Sequence, residues 1–399
     1  MRVLLVNKFF YNRGGAEVVT MTLREALLAR GIEVGVFAMD YRSNQTVPNL
    51  YTAPEVTFKT GGMPAKLRFG RRTLGGNGVK AAFRRALAEF RPDVVHLHNI
   101  HSYISPVVAR MAHEHGCRVV WTLHDYKLLC PAYSCLNRGK VCERCFLKKG
   151  GVLHERCFKE STSASAMAWL EALRWNRSRL ERWTDAFVCP SRFMREKMVA
   201  GGFDEAKLHV ISNFLDPAKS VVLEREPVSE EREPFLFYAG RMSEEKGVGT
   251  LVEVMSHLPY RLLLAGKGPM LPQYRERWSA CENIIFLGQL SPAAVSWHMG
   301  QARAVVVPSE CYENNPLSLI EARCAGTPVL GTRIGGIPEL IDESCGLVVE
   351  PFDSAALSNG IEKIMGTDYD HTAIARTARG LFSAERHLER LLPLYSAER

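Results

Sequence analysis

Short apolar runs alternate with amphipathic stretches along the whole chain. The first half contains the runs RVLLVN, EVGVFAM, DVVHLH, RVVWTLH, AFVCPS and LHVIS, and the second half contains PFLFYAG, YRLLLAG, NIIFLG, ARAVVVPS, PVLGT and CGLVV. Stretches with helical periodicity, such as AEVVTMTLREALLARG and PVVARMAHEHG, separate these runs. Continuous apolar strands alternating with helices are typical of parallel sheets covered on both faces. The pattern predicts an α/β protein.

The pattern restarts after a polar segment, which predicts two doubly wound domains. Residues 216–234, DPAKSVVLEREPVSEEREP, are charged and rich in proline, as in linkers. A chain of 399 residues also exceeds one ordinary core. We therefore expect an N-terminal domain over 1–215 with a cysteine-rich insertion at 126–160, and a C-terminal domain over 235–380. The last segment, 381–399, has apolar residues at helical spacing.

Chemically active residues cluster directly after the predicted strands. Two such domains facing one another would bind a ligand in the cleft beyond the carboxyl ends of their strands. The clusters in question are Gly14 and Gly15, His124 and Asp125, 241–247, and 310–321. Their placement predicts a binding cleft.

Two glutamates flank a turn in ECYENNPLSLIEARCAG, residues 310–326. A helix that begins near Pro316, capped by Asn315, would place Glu321 one to two turns inside and leave Glu313 in the loop. The N–H groups at such a helix start bind phosphate, and carboxylates accept hydrogen bonds from hydroxyls. A nucleotide sugar combines both kinds of group.

Two cations follow the first strand of the second half. Arg241 and Lys246, in RMSEEKG, could hold a diphosphate and neutralise charge on a leaving group, although such pairs are often plain surface residues. The glycines lack the G-x-G-x-x-G pattern of dehydrogenases. Gly14 and Gly15 would contact a phosphate or simply form a tight turn, and Gly268 in AGKGP has the same two interpretations.

Histidines follow two strands of the first half. His124 could point into the cleft and hydrogen-bond a sugar hydroxyl or steer a proton, or it could be structural. His96, His98 and His101 in HLHNIH suggest a metal site. Strand alternation puts only the first two on one face, so we interpret all three as cleft-lining or buried and hydrogen-bonded.

The bulk composition indicates a globular cytoplasmic protein. It is 46% hydrophobic and 24% charged, with no apolar run long enough for a membrane span and no secretory signal in MRVLLVNKFFYNRGG. Eleven cysteines fit this compartment if most are reduced or bound to metal.

The net charge of +8 is concentrated in one region. Between Lys59 and Arg91, Glu89 is the only acid among nine basic residues; the other seven are Lys66, Arg68, Arg71, Arg72, Lys80, Arg84 and Arg85. Within this region VKAAFRRALAEF is an amphipathic helix. It either rests on an anionic membrane surface or covers the core of its own domain.

Five cysteines fall in the insertion after His124. They are Cys130, Cys135, Cys142, Cys145 and Cys157. Cys142 and Cys145 form a C-x2-C pair, a spacing that suits a tetrahedral ion. We expect a structural zinc or iron-sulfur centre, because a polar insertion of this length has little else to order it; a loop of reduced thiols is the alternative.

Together these motifs resemble retaining glycosyltransferases of family 4, which have the two-domain GT-B fold. The resemblance spans nearly the whole chain, and its most specific part is the E-x7-E spacing of Glu313 and Glu321. It implies that Glu313 contacts the transferred sugar, Glu321 the ribose, and Arg241 and Lys246 the diphosphate, with His124 near the sugar. The implied donor-binding residues are Gly14, Gly15, Arg241, Lys246, Gly268, Glu313, Asn314, Asn315, Pro316, Leu317 and Glu321.

The resemblance also implies the chemistry. Many members carry glycine and an aromatic residue where this chain has Asn314 and Asn315, so the motif does not specify the sugar. We identify no D-x-D motif, so no divalent metal is expected for catalysis. The leaving phosphate helps to deprotonate the acceptor hydroxyl on the same face, with Glu313, Arg241, Lys246 and His124 as the catalytic residues. In this fold the domain over 1–215 is expected to bind the acceptor and the domain over 235–380 the nucleotide sugar. The segment 381–399 crosses back to the first domain.

Three hypotheses follow for function. The first is a glycosyltransferase of polysaccharide or cell-envelope glycan synthesis at the inner face of the plasma membrane. It would move a hexosyl or N-acetylhexosaminyl group to a lipid-linked saccharide acceptor and bind no nucleic acid. The second is a metal-containing nucleic-acid-binding protein, which leaves Glu313 and Glu321 unexplained. The third is an inactive glycosyltransferase-like scaffold.

Overall fold

The chain forms two compact α/β units. The computed structural model describes residues 1–57, 62–76, 78–225, 228 and 231–397. Unit 1 comprises Met1–Arg138, Cys142–Ser212 and His387–Arg399, and unit 2 comprises Gly139–Val141 and Asn213–Arg386. Lys59, at one end of the basic region, lies outside the described residues.

Unit 1 is built on a seven-stranded parallel sheet with the order β3-β2-β1-β4-β5-β8-β9. Strands β6 and β7 form a separate two-stranded hairpin in the insertion. The strands of the first half of the chain are β1 Arg2–Val6, β2 Glu33–Met39, β3 Leu50–Ala53, β4 Val94–Leu97, β5 Arg118–Thr122, β6 Leu136–Asn137, β7 Lys140–Val141, β8 Ala186–Cys189 and β9 Leu208–Val210, and of these β7 belongs to unit 2.

The described residues of the first half contain eight α-helices. They are α1 Gly15–Ala29, α2 Gly62–Thr73, α3 Val79–Phe90, α4 Val107–Glu114, α5 Gly151–Glu155, α6 Thr162–Arg174, α7 Arg177–Trp183 and α8 Arg192–Ala200. The β1 side chains from Val3 to Val6 are fully buried. This burial agrees with a central strand that is covered by helices on both faces.

Unit 2 is built on a six-stranded parallel sheet with the order β12-β11-β10-β13-β14-β15. Its strands are β10 Glu233–Ala239, β11 Arg261–Ala265, β12 Ile284–Gly288, β13 Ala302–Val307, β14 Val329–Thr332 and β15 Gly346–Val349. Alternate residues of β10 contribute to two different apolar clusters, Phe235 and Phe237 to one and Leu236 and Tyr238 to the other. Two helical layers therefore cover this sheet.

The helices of the second half are α9 Pro217–Arg225, α10 Val248–Met255, α11 Leu271–Arg277, α12 Pro292–Gln301, α13 Leu317–Cys324, α14 Ser354–Gly366, α15 His371–Leu381 and α16 Ala384–Ser396. From His387 onward, α16 belongs to unit 1. There the Tyr395 hydroxyl lies 2.6 Å from Nδ1 of His96.

All twelve predicted strands are confirmed. The short edge strand β3 and the hairpin of β6 and β7 were not predicted, because partly exposed segments of two to four residues carry no apolar run. The predicted linker, 216–234, contains α9. Asp216 accepts a hydrogen bond from the Ala218 N–H, and Pro217 occupies the first helical position, where its missing N–H costs nothing.

Both sheets have a point where the strand order reverses. It lies between β1 and β4 in unit 1, and between β10 and β13 in unit 2. In open α/β sheets, ligands bind beyond the carboxyl ends of the strands at such a point. The loops that follow these four strands are therefore where a site is expected.

Candidate active site

The loops after β10 and β13 are in direct contact in unit 2. Gly247 has a φ of 65°, and a Cβ atom there would lie 1.9 Å from the Pro308 carbonyl oxygen. The Glu310 N–H also donates to the Glu245 carbonyl at 3.0 Å. Only glycine permits both this conformation and this approach. The contact brings the predicted cation loop and the predicted glutamate loop together.

Lys246 and Glu313 form an ion pair at this junction. The Lys246 Nζ atom lies 2.6 Å from Glu313 Oε1, and the buried Ser309 hydroxyl donates to the same oxygen at 2.8 Å. Burial alone would raise the pKa of Glu313 and lower that of Lys246. The pair reverses both effects, so the pKa of Glu313 is lowered and that of Lys246 is raised. Both side chains are therefore charged at neutral pH.

The loop after β14 fixes the backbone of Glu313. Gly335 has a φ of 62°, and a Cβ atom there would lie 2.2 Å from the Glu313 carbonyl oxygen. The Gly336 N–H donates to the same carbonyl at 2.6 Å. Glu313 is thus held through its side chain by Lys246 and through its backbone by this loop.

Arg241 and Gly268 lie on adjoining loops. The Met242 N–H donates to the Lys267 carbonyl at 3.0 Å, and a Cβ atom on Gly268 would lie 2.1 Å from the Met242 carbonyl oxygen. Arg241 is exposed, and its guanidinium makes no hydrogen bond or ion pair with any residue that the structure describes. It remains available to an anion.

The predicted capping role of Asn315 is wrong. Helix α13 begins at Leu317 with Pro316 as its N-cap, and no side chain caps it. The Asn315 side-chain oxygen instead accepts from the Asn213 N–H at 2.9 Å, while the Asn213 amide donates to the Asn315 carbonyl at 2.8 Å. A long-range pairing therefore takes the side chain that a local cap would have used. The helix start is left without a side-chain cap, as an anion site requires.

The neighbouring predicted donor residues differ in their surroundings. Leu317 packs against the apolar core of unit 2, and Asn314 is partly buried. Glu321 lies one turn inside α13, and its Oε1 atom is 2.5 Å from Nζ of Lys219 in α9. The segment predicted as a linker therefore supplies a cation to the glutamate expected to bind ribose.

In unit 1, the loops after β1 and β4 are joined at the point where the strand order reverses. The Asn99 N–H donates to the buried Asn7 side-chain oxygen at 3.0 Å, and the Lys8 N–H donates to the Asn99 carbonyl at 2.8 Å. Helix α1 follows with Gly14 as its N-cap and Gly15 as its first residue. Gly14 and Gly15 thus stand beside the expected ligand position of this sheet.

His124 follows β5 and is paired with His98. Its Nε2 atom lies 2.9 Å from Nδ1 of His98, and the two rings stack. Burial, and secondarily Lys8, lowers the pKa of His124 to about 3. The ring is therefore neutral near pH 7, which suits a hydrogen-bonding role better than proton transfer.

His96 and His98 of HLHNIH are buried in unit 1, and His101 is partly buried. His96 has Tyr395 and Thr122 as partners at 2.6 and 2.8 Å, and the His98 carbonyl accepts from the Trp121 indole. His101 lies 3.9 Å from Glu171. Within the described ranges, no three His, Cys, Asp or Glu side chains form a group that could hold a metal ion.

The interpretation that the chain has no D-x-D motif is wrong, because Asp-Tyr-Asp occurs at 368–370, just before α15. The Asp370 side chain accepts a hydrogen bond from the Ala373 N–H at 2.7 Å and caps that helix. Asp368 lies 2.8 Å from the Arg303 guanidinium. Both carboxylates therefore have structural partners, and catalysis without a divalent metal stays a prediction.

The cysteine insertion is ordered by contacts other than a metal. The Lys149 ammonium donates to the carbonyls of Leu128, Leu129 and Phe146 at 2.7 to 3.1 Å. Cys145 joins a small apolar cluster with residues of α5 and α6. The assumption that little else orders the insertion is thus wrong, although the metal itself stays a prediction.

Two of the five cysteines contact one another through their side chains. A hydrogen bond from Cys135 lowers the pKa of the Cys130 thiol to about 6, against the effect of burial. Burial raises the pKa of Cys145 to about 11 and also raises that of Cys157. Cys142 is partly buried. In the described structure, no three of the five cysteines come together in a group that could hold a metal ion.

Comparison with known families decides the class of the protein. Residues 13–219 match the profile of Glycosyltransferase Family 4, and residues 223–380 match that of Glycosyl transferases group 1. The chain belongs to glycosyltransferase family 4. This membership favours the first of the three hypotheses over a nucleic-acid-binding protein.

The relatives of this glycosyltransferase include an uncharacterized protein and proteins named for O-antigen biosynthesis and as glycogen synthase. It is 24% identical to an uncharacterized 42.6 kDa protein in the cps region of Klebsiella pneumoniae, over 85% of this chain and 87% of that one. It is 29% identical to the O-antigen biosynthesis glycosyltransferase WbnH of Escherichia coli, over 51% and 57%. Glycogen synthase of Mycobacterium tuberculosis is 30% identical over 50% and 49%.

Solved glycosyltransferase structures share the fold of this enzyme, which is GT-B. Sucrose-phosphate synthase from Thermosynechococcus elongatus has a TM-score of 0.71 and 21% identity, over 99% of this chain and 98% of that one. HepE from Anabaena, in complex with UDP and glucose, has a TM-score of 0.68 and 17% identity over 99% of both. No helix among the described residues is long and apolar enough to cross a bilayer.

The sequence interpretation missed several residues at the candidate sites of the two units. They are Asn7, Ser309, Gly335, Asn213 and Lys219. Ser309 lies two residues after the end of β13, so its position was an available signal. Asn213 and Lys219 lie 102 residues from their partners, and no local pattern identifies such pairs.

Proposed function

We propose that this enzyme transfers a hexosyl or N-acetylhexosaminyl group from a nucleotide-diphosphate sugar to a lipid-linked saccharide, with retention of anomeric configuration. The observation that carries the proposal is the Lys246 and Glu313 ion pair where the strand order of unit 2 reverses. Support for the donor comes from HepE, whose structures contain UDP and UDP-glucose. The relatives that are named for O-antigen biosynthesis support a role in polysaccharide or cell-envelope glycan synthesis.

The ion pair suits a donor that has both phosphate and hydroxyl groups. A diphosphate would compete with Glu313 for Lys246 and gain the exposed Arg241 and the uncapped start of α13 as further partners. Glu313 would then accept a hydrogen bond from a hydroxyl of the transferred sugar. Glu321, although paired with Lys219, has a second carboxylate oxygen with which to accept from the ribose.

In the proposed reaction, the bond between the anomeric carbon and the phosphate oxygen breaks, and the acceptor oxygen forms a new bond on the same face. The acceptor proton goes to the leaving phosphate. Lys246 and Arg241 stabilise the negative charge on that phosphate, so catalysis is electrostatic and needs no divalent metal. His124, being neutral, contributes a hydrogen bond near the sugar.

A donor panel tests the proposed function. Purified enzyme is incubated with UDP-, ADP- and GDP-sugars, with octyl glycosides as acceptors, and nucleotide release and product mass are measured. We expect release from one donor and a product one sugar larger. In the same assay Glu321→Ala and Lys246→Ala should lose release. No release from any donor would favour the inactive scaffold.

The basic region supports a membrane-surface role through α2 rather than α3. The apolar face of α3 is buried: Phe83 packs on Phe37 with ring centroids 4.9 Å apart. Arg72 is also buried, and its guanidinium donates to the carbonyls of Tyr103 and Pro54. The membrane interpretation of VKAAFRRALAEF is therefore not supported, since the helix covers its own core.

Helix α2 instead presents apolar and basic side chains together. Met63 and Leu67, one turn apart, are 66% and 63% exposed, and Lys66, Arg68 and Arg71 around them are exposed as well. Buried apolar area and basic charge both add to affinity for an anionic bilayer. We propose that α2 rests on the membrane that carries the acceptor.

Vesicle flotation checks this docking. The wild type should float with vesicles that contain phosphatidylglycerol. With vesicles of pure phosphatidylcholine it should stay in the bottom fraction of the gradient. The double variant Met63→Glu, Leu67→Glu should lose most of this binding, whereas Phe352→Glu, Leu381→Glu, at exposed positions of unit 2, should keep it. Equal flotation of both double variants would contradict the role of α2.

The structural metal is tested by elemental analysis. If the insertion holds zinc or an iron-sulfur centre, purified protein contains about one equivalent of zinc, or several of iron, and Cys142→Ser, Cys145→Ser loses it. Protein purified without metal, and equally stable with and without a chelator, would establish reduced thiols instead.

A further inference from the structure

His98 and His124 meet where β4 and β5 end. His98 directly follows β4, and His124 lies two residues after β5. Nδ1 of His98 lies 2.9 Å from Nε2 of His124, and the rings stack with their centroids 5.2 Å apart. His98 is 1% exposed, whereas His124 is partly exposed. His124 is therefore the member of this pair that can contact a ligand.

The ring of His98 is fixed by its surroundings. Its backbone carbonyl accepts from the Trp121 indole N–H at 2.9 Å. The ring of His96 stacks on it with centroids 4.4 Å apart, and Nδ1 of His96 lies 2.6 Å from the Tyr395 hydroxyl. A side chain that is locked by packing and hydrogen bonds can hold a neighbouring group in one orientation. His98 is thus placed to orient His124.

The contact between the two rings holds one proton. Burial lowers the pKa of His124 to about 3 and that of His98 well below the usual value, so both rings are neutral near pH 7. A neutral imidazole has one N–H donor and one acceptor nitrogen. One ring therefore donates to the other, and the identity of the donor decides which nitrogen of His124 carries its hydrogen.

The Nε2 atom of His98 indicates which ring donates. This buried atom has no hydrogen-bond partner among the described residues. If His124 donated, Nε2 of His98 would carry a buried N–H group without an acceptor, whereas if His98 donates, Nε2 is an unprotonated nitrogen. In protein backbones, buried N–H groups without a partner are rarer than buried carbonyl groups without one, and we apply the same order to the ring. The hydrogen in the contact is therefore assigned to Nδ1 of His98.

This assignment fixes the chemistry of His124. Its Nε2 atom accepts from His98, so its own hydrogen is on Nδ1. Nδ1 of His124 makes no hydrogen bond with any residue that the structure describes. It is a donor that an oxygen atom of a substrate can use.

We propose that His98 is a positioning residue of the transfer reaction, which donates from Nδ1 to Nε2 of His124 and so directs the Nδ1–H group of His124 to an oxygen of the transferred sugar. This inference rests on the proposed function and deepens it, because it names the atom of His124 that makes the hydrogen bond and the direction of that bond. His98 itself touches no substrate and acts through His124.

Nitrogen NMR of protein with labelled histidine tests the tautomer without any substrate. The two nitrogens of a neutral imidazole give different signals according to which one carries the hydrogen, and His124→Asn identifies the signals of His124. We expect the hydrogen on Nδ1 of His124 in the wild type near pH 7, and a mixture of both tautomers in His98→Gln. A wild type with the hydrogen on Nε2 of His124, or an unchanged tautomer in His98→Gln, would overturn the proposal.

Kinetics compares two replacements that place an amide at different distances from the backbone. The amide nitrogen of asparagine is two bonds from Cβ, like Nδ1 of histidine, so His98→Asn can still donate to His124. The amide of glutamine is one bond farther, like Nε2. With the active donor of the panel, kcat should stay within about threefold of the wild type in His98→Asn and fall about tenfold or more in His98→Gln. The melting temperature of each variant is the control for folding.

His96→Gln is the matched control for the loss of a buried histidine. His96 is fully buried, and its partners are Tyr395 and Thr122 rather than His124. Its kcat should stay within about threefold of the wild type. Equal losses in His98→Asn and His98→Gln, or a loss in His96→Gln as large as that in His98→Gln, would contradict the role of His98. A wild type that is inactive with every donor counts against the proposed function instead, and the NMR measurement then decides the role of His98.

Discussion

Replacing Glu313 by glutamine is expected to lower the turnover number about 10²- to 10³-fold, with the KM for the donor changed much less. Glutamine preserves the shape and can still accept from Ser309, but it removes the charge that faces Lys246. Charged groups aimed at the reacting centre stabilise the transition state by amounts of this size. Steady-state kinetics on the donor identified by the panel measures both constants.

Glu310 provides a matched control for this prediction. It lies in the same loop, and its carboxylate accepts from the Thr250 hydroxyl at 2.6 Å rather than pairing with Lys246. Glu310→Gln should therefore stay within about threefold of the wild-type turnover, as expected for a group outside the reacting centre. If the two variants lose turnover equally, the loop as a whole matters and Glu313 has no separate role.

Acidification is expected to destabilise unit 1 strongly. Burial lowers the pKa of His124 to about 3 and that of His387 to about 4, and it lowers the pKa values of His96, His98 and His101 as well. Unfolded histidine titrates near pH 6.5. At pH values between the pKa of a folded histidine and 6.5, the unfolded chain binds more protons than the folded chain. The free energy of unfolding therefore falls as the pH drops below about 6.5.

The size of this loss of stability follows from the lowered pKa values of the folded histidines. At one pH unit below 6.5, His124 and His387 each remove about 1.4 kcal/mol from the free energy of unfolding, and the other buried histidines add to this loss. Denaturant unfolding at pH 7.5 and 5.5 measures it. His124→Asn or His387→Asn should reduce the difference, whereas His154→Asn, at an exposed position, should not. A free energy of unfolding that is equal at both pH values would contradict the burial of neutral histidines.

The sheets were predictable because burial on both faces imposes a simple pattern. Strands such as β1 and β13 are continuous apolar runs, and the residues that follow them were identifiable by position alone. The same logic found Lys246 and Glu313 as separate candidates. Lys246 and Glu313 are 67 residues apart, and their pairing depends on the contact between two loops. Gly247 permits that contact because a side chain at this position would clash with the other loop. No sequence pattern predicts such a contact.

Amphipathic patterns were less informative, because they do not identify what covers the apolar face. Helix α3 has the composition of a membrane-surface helix and yet packs on its own sheet, while the less regular α2 exposes Met63 and Leu67. The charge and proline content of residues 216–234 predicted a linker, but the structure has α9 there and a contact between Lys219 and Glu321. Local composition was a poor guide wherever a distant partner decided the structure.

The most direct test of the donor site is a calorimetric titration of the wild type and Lys246→Ala with UDP, ADP and GDP. The account predicts that one of these binds the wild type with a Kd between about 1 μM and 1 mM, in the range typical of substrates, and binds Lys246→Ala about tenfold or more weakly. If none binds, or if Lys246→Ala binds as tightly as the wild type, the assignment of the diphosphate to the Lys246 and Glu313 loops is wrong.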